Sequence, residues 1–205
     1  MGKLIVINGS PRGGRSNTRL YSEAMTSVWP DEHVAYNVVR RRPAECLEQL
    51  DGCTDILLAF PLYTDGLPSG LVELLGQLLE AGMDAESRVH VLVNCGFREP
   101  SQCAVALEIV RLFCKRAVCR FGASLCIGCG EAFPGTPLMR IAERKLRRFA
   151  REIVRGNSPQ WTLKMPLTRG LFIRVADDFW LRRAGNLTRA QLEARRVKPD
   201  DADTV

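Results

Sequence analysis

A doubly wound α/β fold is predicted for this 205-residue chain: a five-stranded parallel sheet in the order 2-1-3-4-5, followed by a C-terminal helical extension. Three observations predict it. Short apolar runs rich in Val, Ile, Leu and Phe alternate with segments whose apolar residues recur every three or four positions, the rhythm of βα units. Three of these runs are almost continuously hydrophobic, as strands are when helices cover both faces of a sheet. The unusual loop sequences follow the first, third and fourth runs, where a doubly wound sheet gathers its ligand-binding loops.

The runs are Lys3 to Asn8, His33 to Val39, Asp55 to Phe60, Arg88 to Asn94 and Cys119 to Ile127. The second is the most polar and suits an edge. Between them, Leu71, Leu74, Leu75, Leu78 and Leu79 make one helical stripe, and Ala106, Ile109, Val110 and Phe113 make another. A further helix is predicted from Pro137 to Val154, with Leu138, Ile141, Leu146, Phe149 and Ile153 inward. Its outer side carries Arg140, Arg144, Lys145, Arg147, Arg148 and Arg151, read as a solvated face. The folded domain is assigned to residues 1–156. Asn157, Ser158 and Pro159 then read as a linker into a basic extension, 157–205, in which Leu163 to Pro166 looks extended and Leu171 to Ala184 helical. Its apolar residues, among them Phe172, Val175, Phe179 and Trp180, need covering, so the extension is expected to pack on the domain or across a dimer. Asp200 to Asp203 are expected to fray.

Composition narrows the class. A chain with 46% hydrophobic and 25% charged residues is globular, and a domain of this size buries roughly 70% of the surface its unfolded chain exposes, enough for a core without staples. The net charge of +6 belongs to the end of the chain: residues 136–205 hold 16 of the 29 Lys and Arg but 8 of the 23 Asp and Glu. Leu4 to Ile7 is too short for a signal-peptide core, and no stretch has the length of a membrane span, so a cytoplasmic protein is expected. Met1 and Gly2 suggest myristoylation, but Val6 stands where that signal wants Ser or Thr. The eight cysteines are scattered, as reduced core residues are, and only Cys126 and Cys129 form a CxxC pair. That pair ends an apolar run, whereas a redox pair of the thioredoxin kind opens a helix. The two histidines, His33 and His90, both fall within strands and complete no zinc set, so no metal is expected.

The first loop reads Gly9-Ser10-Pro11-Arg12-Gly13-Gly14-Arg15-Ser16-Asn17-Thr18. Its glycines let backbone N–H groups turn inward, a helix start adds partial positive charge, and Ser10, Ser16, Asn17 and Thr18 add donors, so the loop suits a phosphate. Gly9 to Ser16 nearly matches the nucleoside-triphosphate signature GxxxxGK[ST], with Arg15 in the lysine position. The acidic magnesium ligand is missing, because the third strand ends Phe60-Pro61-Leu62-Tyr63 and the fourth Asn94-Cys95-Gly96. The dinucleotide fingerprint GxGxxG is absent as well.

Taken together, GSPRGGRSNT after strand one, Pro61 to Pro68 after strand three and Asn94 to Phe97 after strand four resemble the NAD(P)H-dependent FMN reductases of the flavodoxin-like superfamily, over roughly residues 1–156. The resemblance implies FMN, its phosphate held by Ser10, Arg12, Ser16, Asn17 and Thr18, and its ring against Pro61, Leu62, Tyr63 and Gly66 and against Asn94, Cys95 and Gly96. It also implies a homodimer and NADH or NADPH as reductant. A loop with Pro, Gly, Leu62 and Tyr63 offers a flat ring both backbone partners and an apolar surface. The reading is an FMN-dependent oxidoreductase passing electrons to a small acceptor, a quinone, azo or nitro compound or free flavin, with no protein acid or base nominated as catalytic. No nucleic acid or membrane is expected as partner. The alternatives are a flavodoxin-type electron carrier, disfavoured by the positive net charge, and a P-loop-like nucleotide-binding protein lacking its magnesium ligand.

Overall fold

The computed structural model describes residues 3–183, 185 and 188–194. In chain order, β1 (Lys3–Asn8), α1 (Asn17–Thr26), β2 (His33–Asn37), α2 (Pro43–Leu50), β3 (Cys53–Pro61), α3 (Ser69–Ala81), β4 (Arg88–Asn94), α4 (Ala104–Arg116), β5 (Arg120–Ile127), α5 (Met139–Val154) and β6 (Gln160–Leu163) form the first of two units, which ends at Met165. All strand pairings are parallel and the order is β2-β1-β3-β4-β5-β6, so the sheet is the expected one with a sixth strand added at the β5 edge. The polar second run is the opposite edge.

Strands β1, β3 and β4 alternate between two cores. Ile5, Ile7, Ile56, Leu58, Phe60, Val89, Val91 and Val93 point to the side where α3 supplies Leu71, Leu74, Leu75 and Leu78 and α4 supplies Ala106, Val110 and Phe113. The other face is covered by α1 and α5, which pack together and bury Tyr21 and Met25 with Ala142, Leu146, Phe149, Ala150 and Ile153. Two predicted inward residues are exposed instead: Ile109 on α4 and Ile141 on α5. On α5 the buried set runs 142, 146, 149, 153, a stripe that leaves position 141 on its flank.

The sixth strand explains part of the basic helix. Ser124 Oγ donates to Gln160 Oε1 (2.6 Å), and Gln160 Nε2 donates to the Gly122 carbonyl (3.0 Å), which pins β6 beside β5. Trp161 packs on Phe149 with ring centroids 6.0 Å apart, under the Lys145 ammonium at 4.4 Å and the Arg148 guanidinium at 5.2 Å. Two of the six outer cations therefore cover an aromatic ring.

The second unit begins at Pro166. It contains α6 (Arg169–Arg183), with an Asp178–Arg182 ion pair one turn apart, and α7 (Arg189–Ala194). Thr188 and Gln191 cap α7 reciprocally: the Thr188 N–H donates to Gln191 Oε1 and the Gln191 N–H to Thr188 Oγ1. Ala184 and the stretch expected to fray lie outside the described residues. No helix of the described residues is long and apolar enough to cross a membrane.

One polar cluster lies inside the sheet at the other end from the loops. His90 is fully buried on β4, its Nε2 2.9 Å from Asp55 Oδ1 and its Nδ1 accepting the Ala123 N–H at 2.9 Å. Arg88 closes the cluster on the Asp55 carboxylate at 2.9 Å. The imidazole needs the glycine beside it, since a Cβ at Gly122 would sit 2.5 Å from His90 Nδ1. Burial pushes the His90 pKa below its ordinary value despite the aspartate, and Arg88 adds to the depression. Burial raises Asp55, but hydrogen bonds from His90 and Arg88 more than offset it and hold the carboxyl low. The pair is neutral imidazole and carboxylate. Because the folded protein resists protonating His90, the unfolded chain takes up a proton first as pH falls. Stability is expected to be full above about pH 6.5 and to fall below it by up to ~1.4 kcal/mol per pH unit. Urea unfolding between pH 7.5 and 5.5 checks this, and a His90→Gln variant should flatten the dependence.

Candidate functional site

Strand register decides where the loops meet. Asn8 pairs with Asn37 and Ala59, Pro61 with Asn94, and Asn94 with Ile127, so the carboxyl ends of β2, β1, β3, β4 and β5 form one rim. Three of these strands end in asparagine. Asn8 Oδ1 accepts the Ser10 N–H at 3.1 Å, and its Nδ2 reaches the Gly13 carbonyl (3.0 Å), Ser16 Oγ (3.3 Å) and Asn37 Oδ1 (2.9 Å). Asn94 Oδ1 accepts Thr18 Oγ1–H at 2.9 Å, and its carbonyl accepts the Leu62 N–H at 2.8 Å. One residue therefore joins the starts of α1, the β3 loop and the β4 loop.

The first loop is a closed turn. The Gly13 N–H bonds the Ser10 carbonyl (2.9 Å), a 3-10 turn follows over Gly13–Arg15, and Ser16 caps α1 by accepting the Arg19 N–H at 3.2 Å while donating to the Gly13 carbonyl at 2.7 Å. Gly13 has φ +51°, and a Cβ there would lie 2.7 Å from Val39, so both conformation and space demand glycine. Ser10, Ser16 and Thr18 are buried, and their hydroxyls build the loop. Arg12 and Arg15 are exposed, and Asn17 stands half-buried at the first position of α1.

The β3 loop turns back on itself. The Tyr63 N–H donates to the Gly66 carbonyl (3.2 Å) and the Gly66 N–H to the Tyr63 carbonyl (2.9 Å). The two residues between them, Thr64 and Asp65, hold φ +48° and +60°, the left-handed region that this tight turn requires, which an aspartate tolerates and a β-branched threonine does not favour. The turn leaves the Tyr63 ring exposed at 46% and Leu62 buried.

A cleft of about 520 Å³ opens between these loops, lined by Gly9, Ser10 and Pro11, by Tyr63, Thr64 and Gly66 to Gly70, and by Val38, Val39 and Arg41. Of the sequence-predicted residues, Ser10, Tyr63 and Gly66 line it. Pro61 and Leu62 lie behind it on the strand end, and Asn94 is joined to Thr18. Cys95 is buried and Gly96 exposed on the β4 loop, outside the cleft lining. Arg12, Ser16, Asn17 and Thr18 belong to the loop and helix start beside it. Sequence reasoning missed the β2 contribution. The signal was the run Arg40-Arg41-Arg42, which follows that strand after Val38 and Val39.

A second cleft, about 490 Å³, lies along the same rim beyond β4, between Arg98, Glu99, Pro100 and Ser101 and the end of β6 at Thr162, Lys164 and Met165. Among the described residues no group of three His, Cys, Asp or Glu side chains is placed to hold a metal ion.

No protein-family profile and no curated protein sequence matches the chain. Its structure is similar to that of the FMN-dependent NADH-azoreductase of Bacillus anthracis in complex with FMN, at 12% identity, TM-score 0.56, over 75% of this chain and 99% of that one. It is similar to the NAD(P)H:quinone oxidoreductase of Methanothermobacter marburgensis at 13% identity, TM-score 0.58, over 74% and 96%. A Streptococcus pneumoniae flavodoxin matches at 13% identity, TM-score 0.55, over 75% and 98%. At such identities the likeness is one of fold, and the fold is flavodoxin-like.

The capping role of Ser16 has a measurable consequence without ligand. Ser16→Ala should destabilise the ligand-free protein by about 1 kcal/mol, whereas Asn17→Ala, which removes no cap, should stay within about 0.5 kcal/mol of the parent in denaturant unfolding.

Proposed function

We propose that the chain is an FMN-dependent NAD(P)H oxidoreductase that passes electrons to a small acceptor, a quinone, azo or nitro compound or free flavin. The observation that carries this is the convergence of three loops of a flavodoxin-like sheet, after β1, β3 and β4, through the Asn94 and Asn8 bonds beside a cleft of ligand size. The residues present fit FMN. A phosphate is served by the first turn of α1 with Asn17, Arg12 and Arg15 at its mouth, while Ser10, Ser16 and Thr18 hold the turn in shape. The Tyr63–Gly66 turn offers an exposed aromatic ring and open backbone to a flat heterocycle, and the β4 loop at Asn94, Cys95 and Gly96 is tied to the same rim through the Asn94 bonds to Thr18 and Leu62. When bound, FMN supplies the two-electron transfer between reduced nicotinamide and acceptor.

The net charge of +6 supports an enzyme over an acidic flavodoxin-type carrier. A homodimer is part of the same proposal.

An absorbance spectrum of the protein mixed with FMN, followed by anaerobic titration with NADH and NADPH, tests the reading. One FMN per chain is expected, bound more tightly than riboflavin, with bleaching by reduced nicotinamide. Equal affinity for riboflavin would remove the phosphate site, and bound FMN that no nicotinamide reduces would leave a carrier. Asn17→Ala should weaken FMN by about tenfold or more, the loss of a hydrogen bond to a charged group of ~1.5 to 3 kcal/mol.

A further inference from the structure

One charge at the first cleft has no part in the proposed flavin site. The walls there are largely apolar, from Pro11, Val38, Val39 and Leu67, with the exposed Tyr63 beside them. Among the described residues that line the cleft, Arg41 alone is charged. Asp65, at the tip of the β3 turn, is exposed and stands outside the lining. A recess of about 60 Å³ adjoins the cleft, shares Val38, Arg41 and Gly70 with it, and has Glu73 as the one carboxylate among its described lining residues.

The backbone holds Arg41 in place from both sides. Its N–H closes the 3-10 turn Val38–Arg40 on the Val38 carbonyl at 3.0 Å, and the N–H of Arg42 donates to the hydroxyl of the buried Tyr36 at 3.1 Å. Between these bonds Arg41 takes φ +50°, the left-handed region that residues with a side chain seldom occupy. Its neighbours in the arginine run are engaged elsewhere: Arg40 pairs with Glu45 at 2.9 Å, and Arg42 stands at the N-cap of α2. Arg41 makes no ion pair among the described residues. The middle arginine of the three is therefore the one whose cation serves the cleft.

This lining selects a chemistry. Apolar walls beside an aromatic ring take a planar hydrophobic molecule, and a guanidinium with no counter-ion takes an oxyanion, which it grips through two N–H groups. Both features share one cleft of about 520 Å³, so ring and anion belong to a single small molecule and not to the two ends of a dinucleotide. The flavin phosphate is assigned elsewhere, to the start of α1, which covers the opposite face of the sheet from α3, whose Ser69 and Gly70 line this cleft. We propose that the first cleft binds a planar aromatic compound carrying a carboxylate or sulfonate, that Arg41 reads the anion, and that this compound is the electron acceptor. The identity as acceptor rests on the oxidoreductase function proposed above; the binding site does not. Among quinones, azo and nitro compounds, the acidic ones are then preferred.

Binding is tested on the full chain without flavin. In calorimetric titration naphthalene-2-sulfonate should bind about tenfold more tightly than its neutral isostere naphthalene-2-sulfonamide. Arg41→Gln should erase that preference, and Arg40→Ala, which removes the same charge one residue away, should leave it intact. Turnover is tested on the FMN-loaded chain with NADH or NADPH. There para-methyl red, a carboxylate, should show a kcat/KM about tenfold above that of its methyl ester, with the difference lost in Arg41→Gln while the value for the ester and the affinity for FMN stay unchanged. Equal binding of sulfonate and sulfonamide by the wild type, a preference that survives Arg41→Gln, or one that Arg40→Ala removes as fully would each overturn the site. A loss of FMN affinity of about tenfold in Arg41→Gln would give the guanidinium to the flavin phosphate and overturn the assignment to the acceptor. Sulfonate binding through Arg41 in a protein whose FMN no nicotinamide reduces would keep the site while removing the oxidoreductase function and, with it, the acceptor.

Discussion

The site depends on how a parallel sheet is terminated. At the carboxyl end of each strand the ladder stops and leaves backbone groups with no neighbour, and a loop placed there has to satisfy them or expose them to water. Here side-chain amides do it. Asn8 supplies a carbonyl to the Ser10 N–H and an amide to the Gly13 carbonyl, acting as an extra rung between strand and loop. Asn94 does the same between elements distant in sequence, taking the Thr18 hydroxyl through its side chain and the Leu62 N–H through its backbone. These bonds are buried, so breaking one by removing a partner leaves an unsatisfied polar group at about 1 to 3 kcal/mol. Loop positions are therefore coupled to strand register, and the register is set by two-sided hydrophobic burial.

That coupling changes what the serine-rich loop means. Read as a string, GSPRGGRSNT is a set of donors awaiting an anion. Folded, much of that capacity is turned inward: the Ser16 hydroxyl caps α1, Thr18 bonds Asn94, and the N–H groups of Ser10, Arg12, Gly13 and Ser16 are taken by Asn8, the Ser10 hydroxyl, the Ser10 carbonyl and the Gly13 carbonyl. What faces outward is cationic: Arg12 and Arg15 on the loop and Arg41 across the cleft. Hydroxyls shape the turn and arginines supply the charge. This division follows from burial, since a hydroxyl tolerates an apolar surrounding once bonded and a guanidinium does not.

Much of the fold was legible because two-sided burial writes itself into sequence as continuous apolar runs. Arg88 to Asn94 matches β4 residue for residue, and Lys3 to Asn8 matches β1. The sixth strand was not legible, for a physical reason. An edge strand of four residues, Gln160-Trp161-Thr162-Leu163, has one neighbour, alternates in burial, and draws its cover from Lys145 and Arg148, so its apolar content is too low to stand out from a linker. The expected extended stretch from Leu163 overlapped it by one residue. At the site, the loops that matter were legible because glycine, proline and serine crowd them. The Val38–Arg41 wall was not, because it becomes a wall only when Gly13 approaches Val39, a contact no local pattern encodes. The inward role of His90 was partly legible as a strand histidine. Its bond to Asp55 was not, because the two residues meet only through the pairing of β3 with β4.

The positions of the two polar clusters follow from the same geometry. Backbone groups inside the sheet are already paired, so a buried polar side chain on a central strand needs partners from adjacent strands at its own level. His90 finds them in Asp55 on one side and the Ala123 N–H on the other, and Gly122 makes room for the ring. At the rim the ladder ends and the partners become loops, which rearrange more readily than strands. There Asn8 and Asn94 supply the rungs that the ladder no longer can, so the loops beside the first cleft stay tied to the strand ends.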